Sequence, residues 1–198
     1  MIYFIRHGQT ETNKEHKLQG RSDIPLNETG REQAASAAAW FRSQGITFDL
    51  VYSSPLTRAK DTAGIIAPGK QIHTDERIIE IDYGIYEGMN LDHPSPELTA
   101  FFADFIHNPA PEGMEALSHI IERFGEFLED IRPQVENRNI LISTHAIAMK
   151  GGLEYLTPSS GGSYWKTFVA NCDIYAASFE NGKYGIPHKV WALADESL

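Results

Sequence analysis

Three times along the chain a short apolar burst stops abruptly at residues able to do chemistry. Residues 2–5 run into Arg6-His7-Gly8, residues 49–53 into Ser54-Pro55 with Arg58 close behind, and residues 139–143 into Thr144-His145. Apolar runs of this length, bounded by turn residues, are what strands buried on both faces require. Helical patterns separate them. A capping-box pattern, Thr29 with Glu32, opens an alanine-rich stretch that runs to about Ser43, presents Ala34, Ala38 and Phe41 on one face, and meets Gly45. Ser54 and Pro55 supply an N-cap and first-turn proline for a helix to about Ile66. Pro96 starts a short helix carrying Leu98, Phe101, Phe102 and Phe105. Leu117, Ile120, Ile121, Phe124, Phe127, Leu128 and Ile131 recur at helical spacing, and a further helix spans residues 146–155. Two strands, 172–179 and 183–193, are joined through Asn181-Gly182, a type I′ hairpin signal. The expected fold is a three-layer α/β/α domain over residues 1–198, with a mostly parallel central sheet, helices on both faces and a closing antiparallel hairpin.

In such sheets ligands collect beyond the carboxyl ends of the strands. That rule brings Arg6, His7, Arg58 and His145 to one edge from three remote segments. Arginine offers a fixed fork of donors to phosphate oxygens, and a neutral imidazole can attack phosphorus. Composition narrows what carries the phosphate. With 27 acidic and 17 basic side chains the formal charge is -10, so the average surface repels a polyanion and no nucleic-acid partner is expected. A small phosphate must be held by a local cationic cluster. Cys172 is the one cysteine, which excludes an internal disulfide or a Cys-type zinc site and suits a reducing compartment. Neither a signal peptide nor an apolar run of about 20 residues is visible, so the expectation is a soluble cytoplasmic protein without a membrane partner. Oligomeric state is left open.

Arg6-His7-Gly8-Gln9-Thr10-Glu11-Thr12-Asn13, directly after the first strand, resembles the Arg-His-Gly signature of the histidine phosphatase superfamily, which includes cofactor-dependent phosphoglycerate mutases. The likeness continues in order through Leu18-Gln19-Gly20, Asp23, Leu26 and residues 29–34, through residues 53–63 around Arg58, and through Glu80 with Tyr83-Gly84 and Glu87-Gly88. It ends at Thr144-His145-Ala146, where the family usually has Ser-His-Gly. The resemblance implies a phosphoglycerate mutase-like fold and a phosphatase acting on small phosphate monoesters through a phosphohistidine on His7. It implies that Arg6, Arg58 and His145 clamp the phosphoryl oxygens and that Glu80 protonates the leaving oxygen. Asn13, Gln19, Gly20 and Ala146 are implied to line the substrate pocket. Alanine at 146 keeps a backbone N–H donor. No cofactor and no metal are implied.

Competing readings rank lower. Residues 64–71 come within one residue of a phosphate-binding glycine loop, but Gln71 lacks the hydroxyl such a loop uses and a helix precedes it where a strand is needed. Cys172 has no arginine six positions on, so the cysteine-phosphatase loop is absent. His16, His73, His93, His107, His119 and His188 are read as surface or structural. Asn27-Glu28-Thr29 forms a glycosylation sequon on paper only. A mutase, the main alternative, typically has Trp where Thr12 stands and Arg-His where Ile81-Asp82 stands. A phosphate-binding protein without catalysis is a third reading. Residues 78–122, taken as the substrate lid, contain no lysine or arginine and many acids, which predicts esters with neutral or apolar leaving groups.

Overall fold

The computed structural model describes residues 1–193. Its main sheet has six strands, β1 (Ile2–Arg6), β2 (Leu50–Ser53), β3 (Ile72–Thr74), β4 (Ile140–Thr144), β5 (Ile174–Ala177) and β8 (His188–Trp191), in the order β3-β2-β4-β1-β5-β8. The pairs β1–β4, β2–β4 and β2–β3 are parallel, whereas β5 joins β1 and β8 antiparallel at one side. A mostly parallel sheet edged by antiparallel strands is thus what forms.

Alternation along the strands divides the core into two layers. Ile2, Phe4, Ile140, Ile142 and Tyr175 face Phe124, Phe127, Leu128 and Ile131 of α5 (Leu117–Ile131), with Ala148, Met149 and Leu153 of α6 (Ala146–Leu156). Tyr3, Ile5, Val51, Leu141 and Ile174 face the other way. They meet Ala34, Ala37, Ala38 and Phe41 of α2 (Glu28–Ser43) and Ala63 and Ile66 of α3 (Thr57–Ile66). Alanine on α2 lets that helix settle close to the sheet, as the small-residue face required.

A third cluster lies outside these layers. Ile81, Tyr83, Leu98 of α4 (Pro96–Ala103) and Ile120, all within residues 78–122, pack with Leu18, Ile147 and Trp165. Phe101, Phe102 and Phe105 form a triangle of ring contacts with centroids 4.8 to 5.7 Å apart, and Phe105 lies 6.1 Å from Trp165. Phe101 is buried, while its two companions are half-buried. The helix ends at Ala103, so Phe105 belongs to the turn beyond it.

Helix starts differ from expectation at two places, one through a neighbouring residue and one through a cap supplied from a distance. Asn27, not Thr29, caps α2, its side chain accepting from Gly30 N at 2.8 Å. The helix expected to open at Ser54 begins instead at Thr57, and its first N–H goes to Asp23 Oδ1 at 2.7 Å, 34 residues away in sequence. Ser54 is thereby released for another contact. The expected strand 172–179 is shorter because Cys172 has φ 60, a left-handed conformation incompatible with a ladder. Strand 183–193 splits as well. Asn181 and Gly182, both at positive φ, turn the small hairpin β6 (Phe179–Glu180) and β7 (Lys183–Tyr184), which leaves the main sheet before β8 rejoins it. No described helix is long and apolar enough to cross a membrane.

Candidate active site

β1 ends by placing Arg6 and His7 at the carboxyl edge, and the His7 N–H donates to Thr144 O at 3.0 Å, tying the first strand to the fourth. The loop after β1 is clamped onto the start of α2. A Cβ built on Gly8 would stand 2.2 Å from Gly30 O, and one on Gly30 would stand 2.1 Å from Gln9 O, so the two backbones touch only because both residues are glycine. His7 Nδ1 lies 2.7 Å from Gly8 O, where it can only donate, which makes Nε2 the unprotonated nitrogen that carries the lone pair. Arg58 Nε donates to that Nε2 at 3.2 Å.

Arg58, on the first turn of α3, is fully buried. Its two terminal nitrogens donate to Ser22 O at 2.7 Å and Gly20 O at 2.6 Å, so the guanidinium is fixed before any ligand arrives. Thr62 accepts from Gly8 N at 3.1 Å and donates back to Arg58 O at 2.8 Å. His145 is the N-cap residue of α6, with its ring centroid 5.1 Å from that of His7 and its Nε2 2.7 Å from Ser54 Oγ. Arg6 reaches Val169 O at 2.7 Å. Asn13 is held in α1 (Glu11–Lys14) by a capping box with Thr10, and Gln19 Oε1 accepts from Thr10 Oγ1 at 2.6 Å. Glu80 is 4% exposed and sits on the N-terminus of α6. Its Oε1 accepts from Ile81 N at 3.0 Å and Ala148 N at 2.9 Å, and its Oε2 from Ile147 N at 3.3 Å.

Gly20 joins this cluster through its backbone. Its N–H is occupied by the Glu87 carboxylate, and its carbonyl orients Arg58. Ala146 lies in helix without positive φ, so the missing glycine brings no backbone strain. Among the described residues five buried side-chain polar atoms have no partner, and three of them, Arg6 Nε, Gln19 Nε2 and His145 Nδ1, belong to this cluster. Buried nitrogens left unpaired around one imidazole point to a ligand rich in acceptors, as a phosphate is.

The comparisons agree with that geometry. The sequence profile described as "Histidine phosphatase superfamily (branch 1)" matches residues 2–191. The chain belongs to this superfamily. It is 34% identical over 191 residues to the uncharacterized phosphatase PhoE of Bacillus subtilis, covering 93% of this chain and 91% of that one. It is 33% identical over 154 residues to a probable phosphoglycerate mutase, GpmB, of Escherichia coli, covering 75% and 70%. A phosphoserine phosphatase of Entamoeba histolytica, crystallised with 3-phosphoglyceric acid, superposes with a TM-score of 0.80 at 30% identity, covering 96% and 94%.

Several residues of this histidine phosphatase are not foreseeable from sequence. Asn171 Nδ2 donates to His7 O at 2.9 Å and to Asn13 Oδ1 at 3.3 Å, joining the loop after β1 to Asn13. Ser54 and Thr62 hold His145 and Arg58. Asn171 lies in no pattern that sequence distinguishes from an ordinary loop residue, whereas Ser54 and Thr62 fall within the 53–63 stretch around Arg58, where Ser54 reads locally as a cap and neither contact shows in the spacing. Among the described residues no three His, Cys, Asp or Glu side chains group as a metal site would need.

Burial holds His7 well below the usual imidazole range, with Arg58 and Arg6 adding to the effect. His145 is lowered likewise, by burial first and then by Arg58, His7 and Arg6. Burial also lowers Arg58 to about 10. Above pH 6.5 both imidazoles are neutral folded or unfolded, and they contribute nothing to pH dependence. Below it the unfolded chain takes up protons that the fold excludes, so stability falls as pH falls, by up to about 1.4 kcal/mol per pH unit for each histidine. Urea unfolding at pH 7 and 5.5 should show a steeper loss in wild type than in a His7→Gln, His145→Gln variant. Equal losses would mean that the two rings titrate normally.

Proposed function

We propose that this protein is a phosphatase that hydrolyses small-molecule phosphate monoesters through a phosphohistidine on His7. The observation that carries this reading is the committed tautomer: Nδ1 donates to Gly8 O, and Nε2 keeps its lone pair beside a prefixed Arg58. In the first step Nε2 attacks phosphorus, the bond from phosphorus to the ester oxygen breaks, and that oxygen takes a proton from Glu80. Glu80 Oε2 is the oxygen suited to carry it, because it accepts one long hydrogen bond whereas Oε1 accepts two shorter ones. In the second step the Glu80 carboxylate removes a proton from water, the water oxygen bonds to phosphorus, and the bond from phosphorus to Nε2 breaks. Phosphate leaves and His7 is regenerated.

Arg6, Arg58 and His145 meet the charge spread over the equatorial oxygens of the transferring group. His145, neutral in the free site, gains a reason to be protonated once a phosphate dianion is bound. Asn13 and Gln19 complete the polar wall. Residues 78–122 serve as a cap within a single domain, their own apolar cluster keeping Phe105 against Trp165. Cys172 takes no part, since burial pushes its thiol up to about 12, and a lone buried thiol suits a reducing compartment such as the cytoplasm.

A panel of phosphate monoesters, with released phosphate and isomerised product measured together, tests this reading against a mutase, which would return the phosphoryl group, and against a binding protein, which would do neither. The cationic clamp also supplies the charge that Mg²⁺ supplies elsewhere. Exhaustive chelation should therefore leave turnover unchanged. An enzyme silenced by chelator and restored by added metal would overturn the mechanism.

A further inference from the structure

Glu80 sits in a stretch, residues 79–83, that forms neither helix nor strand. The N-terminus of α6 receives its carboxylate through Ile147 N and Ala148 N. A proton donor must also be held by its backbone, since a misplacement of about 1 Å can cost about 10²-fold in rate. Two side chains supply that hold. Arg123 Nη1 donates to Arg77 O at 2.7 Å. Glu115 Oε2 accepts from Asp82 N at 3.1 Å, and the Glu115 N–H donates to Asp82 O at 2.9 Å. The anchored residues flank Glu80 on both sides in sequence, and Thr144 Oγ1, at the end of β4, adds a bond to Ile78 O at 2.7 Å.

The two anchors are joined to each other. Arg123 Nε donates to Glu115 Oε1 at 2.7 Å and Nη2 to Oε2 at 3.2 Å, a two-point pairing between side chains 8% and 5% exposed. Pairing two charges this deep contributes little net stability, because taking them out of water offsets their attraction, and apolar residues of similar volume often serve a fold as well. Stability is therefore a weak reason for the pair, and its contacts supply a stronger one. Arg123 belongs to α5, which buries Phe124, Phe127 and Leu128 against Ala148, Met149 and Leu153 of α6. The backbone anchor and the helix end that receives the carboxylate are thus parts of one packed unit, with Glu80 suspended between them. Glu115 also meets Arg21 at 3.3 Å. Engaged by two arginines and a backbone N–H, this acid of the 78–122 segment is no part of a negative field facing the substrate.

We infer that the buried Glu115–Arg123 pair is a positioning device for Glu80, fixing the backbone on both sides of it so that its carboxyl meets the leaving oxygen. The inference rests on the reading of Glu80 as the proton donor and adds the residues through which that donor is aimed. Both act through Glu80 and are positioning residues. Their loss should therefore be felt where a proton is needed and not where it is dispensable. An alkyl ester releases an alkoxide, which leaves only as it is protonated; an aryl ester such as 4-nitrophenyl phosphate releases an anion stable without a proton.

The test is the ratio of kcat/KM for 4-nitrophenyl phosphate to that for glycerol 3-phosphate, since kcat/KM covers transfer to His7 and not the later hydrolysis of the phosphoenzyme. In Glu80→Gln the ratio should rise by about 10²-fold or more, the scale of a positioned acid. Arg123→Met should raise it by about ten-fold, with the aryl ester changed by no more than about three-fold. Arg123→Lys keeps the charge but reaches one partner at a time, so its ratio should fall between. The methionine variant leaves Glu115 buried without its main partner, and the double variant Glu115→Leu, Arg123→Met removes that charge too and should fold where the single one does not. It should show the raised ratio. A loss shared equally by both esters in a folded variant, or no loss, overturns the positioning role and leaves the phosphatase reading standing. Failure of all three variants to fold would make the pair a requirement of the fold and overturn the role likewise. An unchanged ratio in Glu80→Gln overturns the proton-donor assignment and the inference with it. A wild-type protein that hydrolyses neither ester, nor any other in the panel, overturns the phosphatase reading itself.

Discussion

Replacing His7 by alanine lowers turnover by on the order of 10⁴-fold or more, the scale on which enzymes lose activity with their nucleophile. The expectation rests on three contacts that converge on one ring. Nδ1 is spent on Gly8 O, Nε2 faces Arg58, and burial keeps the imidazole unprotonated. Among the described residues no other neutral nucleophile is set up this way. The Cys172 thiol is buried and raised to about 12, and the Nε2 of His145 is engaged with Ser54. Brief incubation with a phosphate ester, quenching in base and intact mass measurement should give an acid-labile adduct of one phosphoryl group in wild type. The adduct should be missing from His7→Ala. Full turnover in that variant would remove the nucleophile assignment, and an adduct persisting without turnover would move it to the neighbouring His145 ring.

Arg58→Ala should lose about 10²–10³-fold in kcat/KM, as removal of one preorganised donor to a charged transition state does elsewhere. It should also lose stability. The guanidinium is fully buried and satisfies Gly20 O and Ser22 O, and each acceptor left unpaired costs about 1–3 kcal/mol. Arg58→Lys separates the two effects. Lysine keeps the charge but not the planar fork that reaches two carbonyls and His7 together, so activity should remain depressed while thermal stability recovers in part. Thermal unfolding measured beside steady-state kinetics reads both. An alanine variant within a few fold of wild type would show that the clamp does not need this residue.

The elements that carry these residues are legible because burial on both faces leaves a strong mark. Residues 2–5 and 139–143 can be little else than central strands, and the residues just past the carboxyl end of a central strand face the ligand. β3 leaves no such mark because Ile72–Thr74 is an edge strand with one apolar residue, and an edge needs little hydrophobic signal. Caps are misread for a related reason. Ser54 and Thr29 satisfy the local rule, yet Asp23 and Asn27 do the capping, the first from 34 residues away, which no local window can detect. Asn171 is invisible for want of any spacing relation to His7.

The place of β1 in the sheet sets when this site can come into being during synthesis. The strand leading into His7 precedes both of its partners in the chain, Ile140–Thr144 on one side and Ile174–Ala177 on the other. Pairings so distant in sequence are slow to close and cannot begin before the later strands exist. On the ribosome, the segment bearing His7 therefore stays unpaired until those later strands have been made. The surroundings of His7 are complete only when β5 has emerged to enclose β1 from its second side.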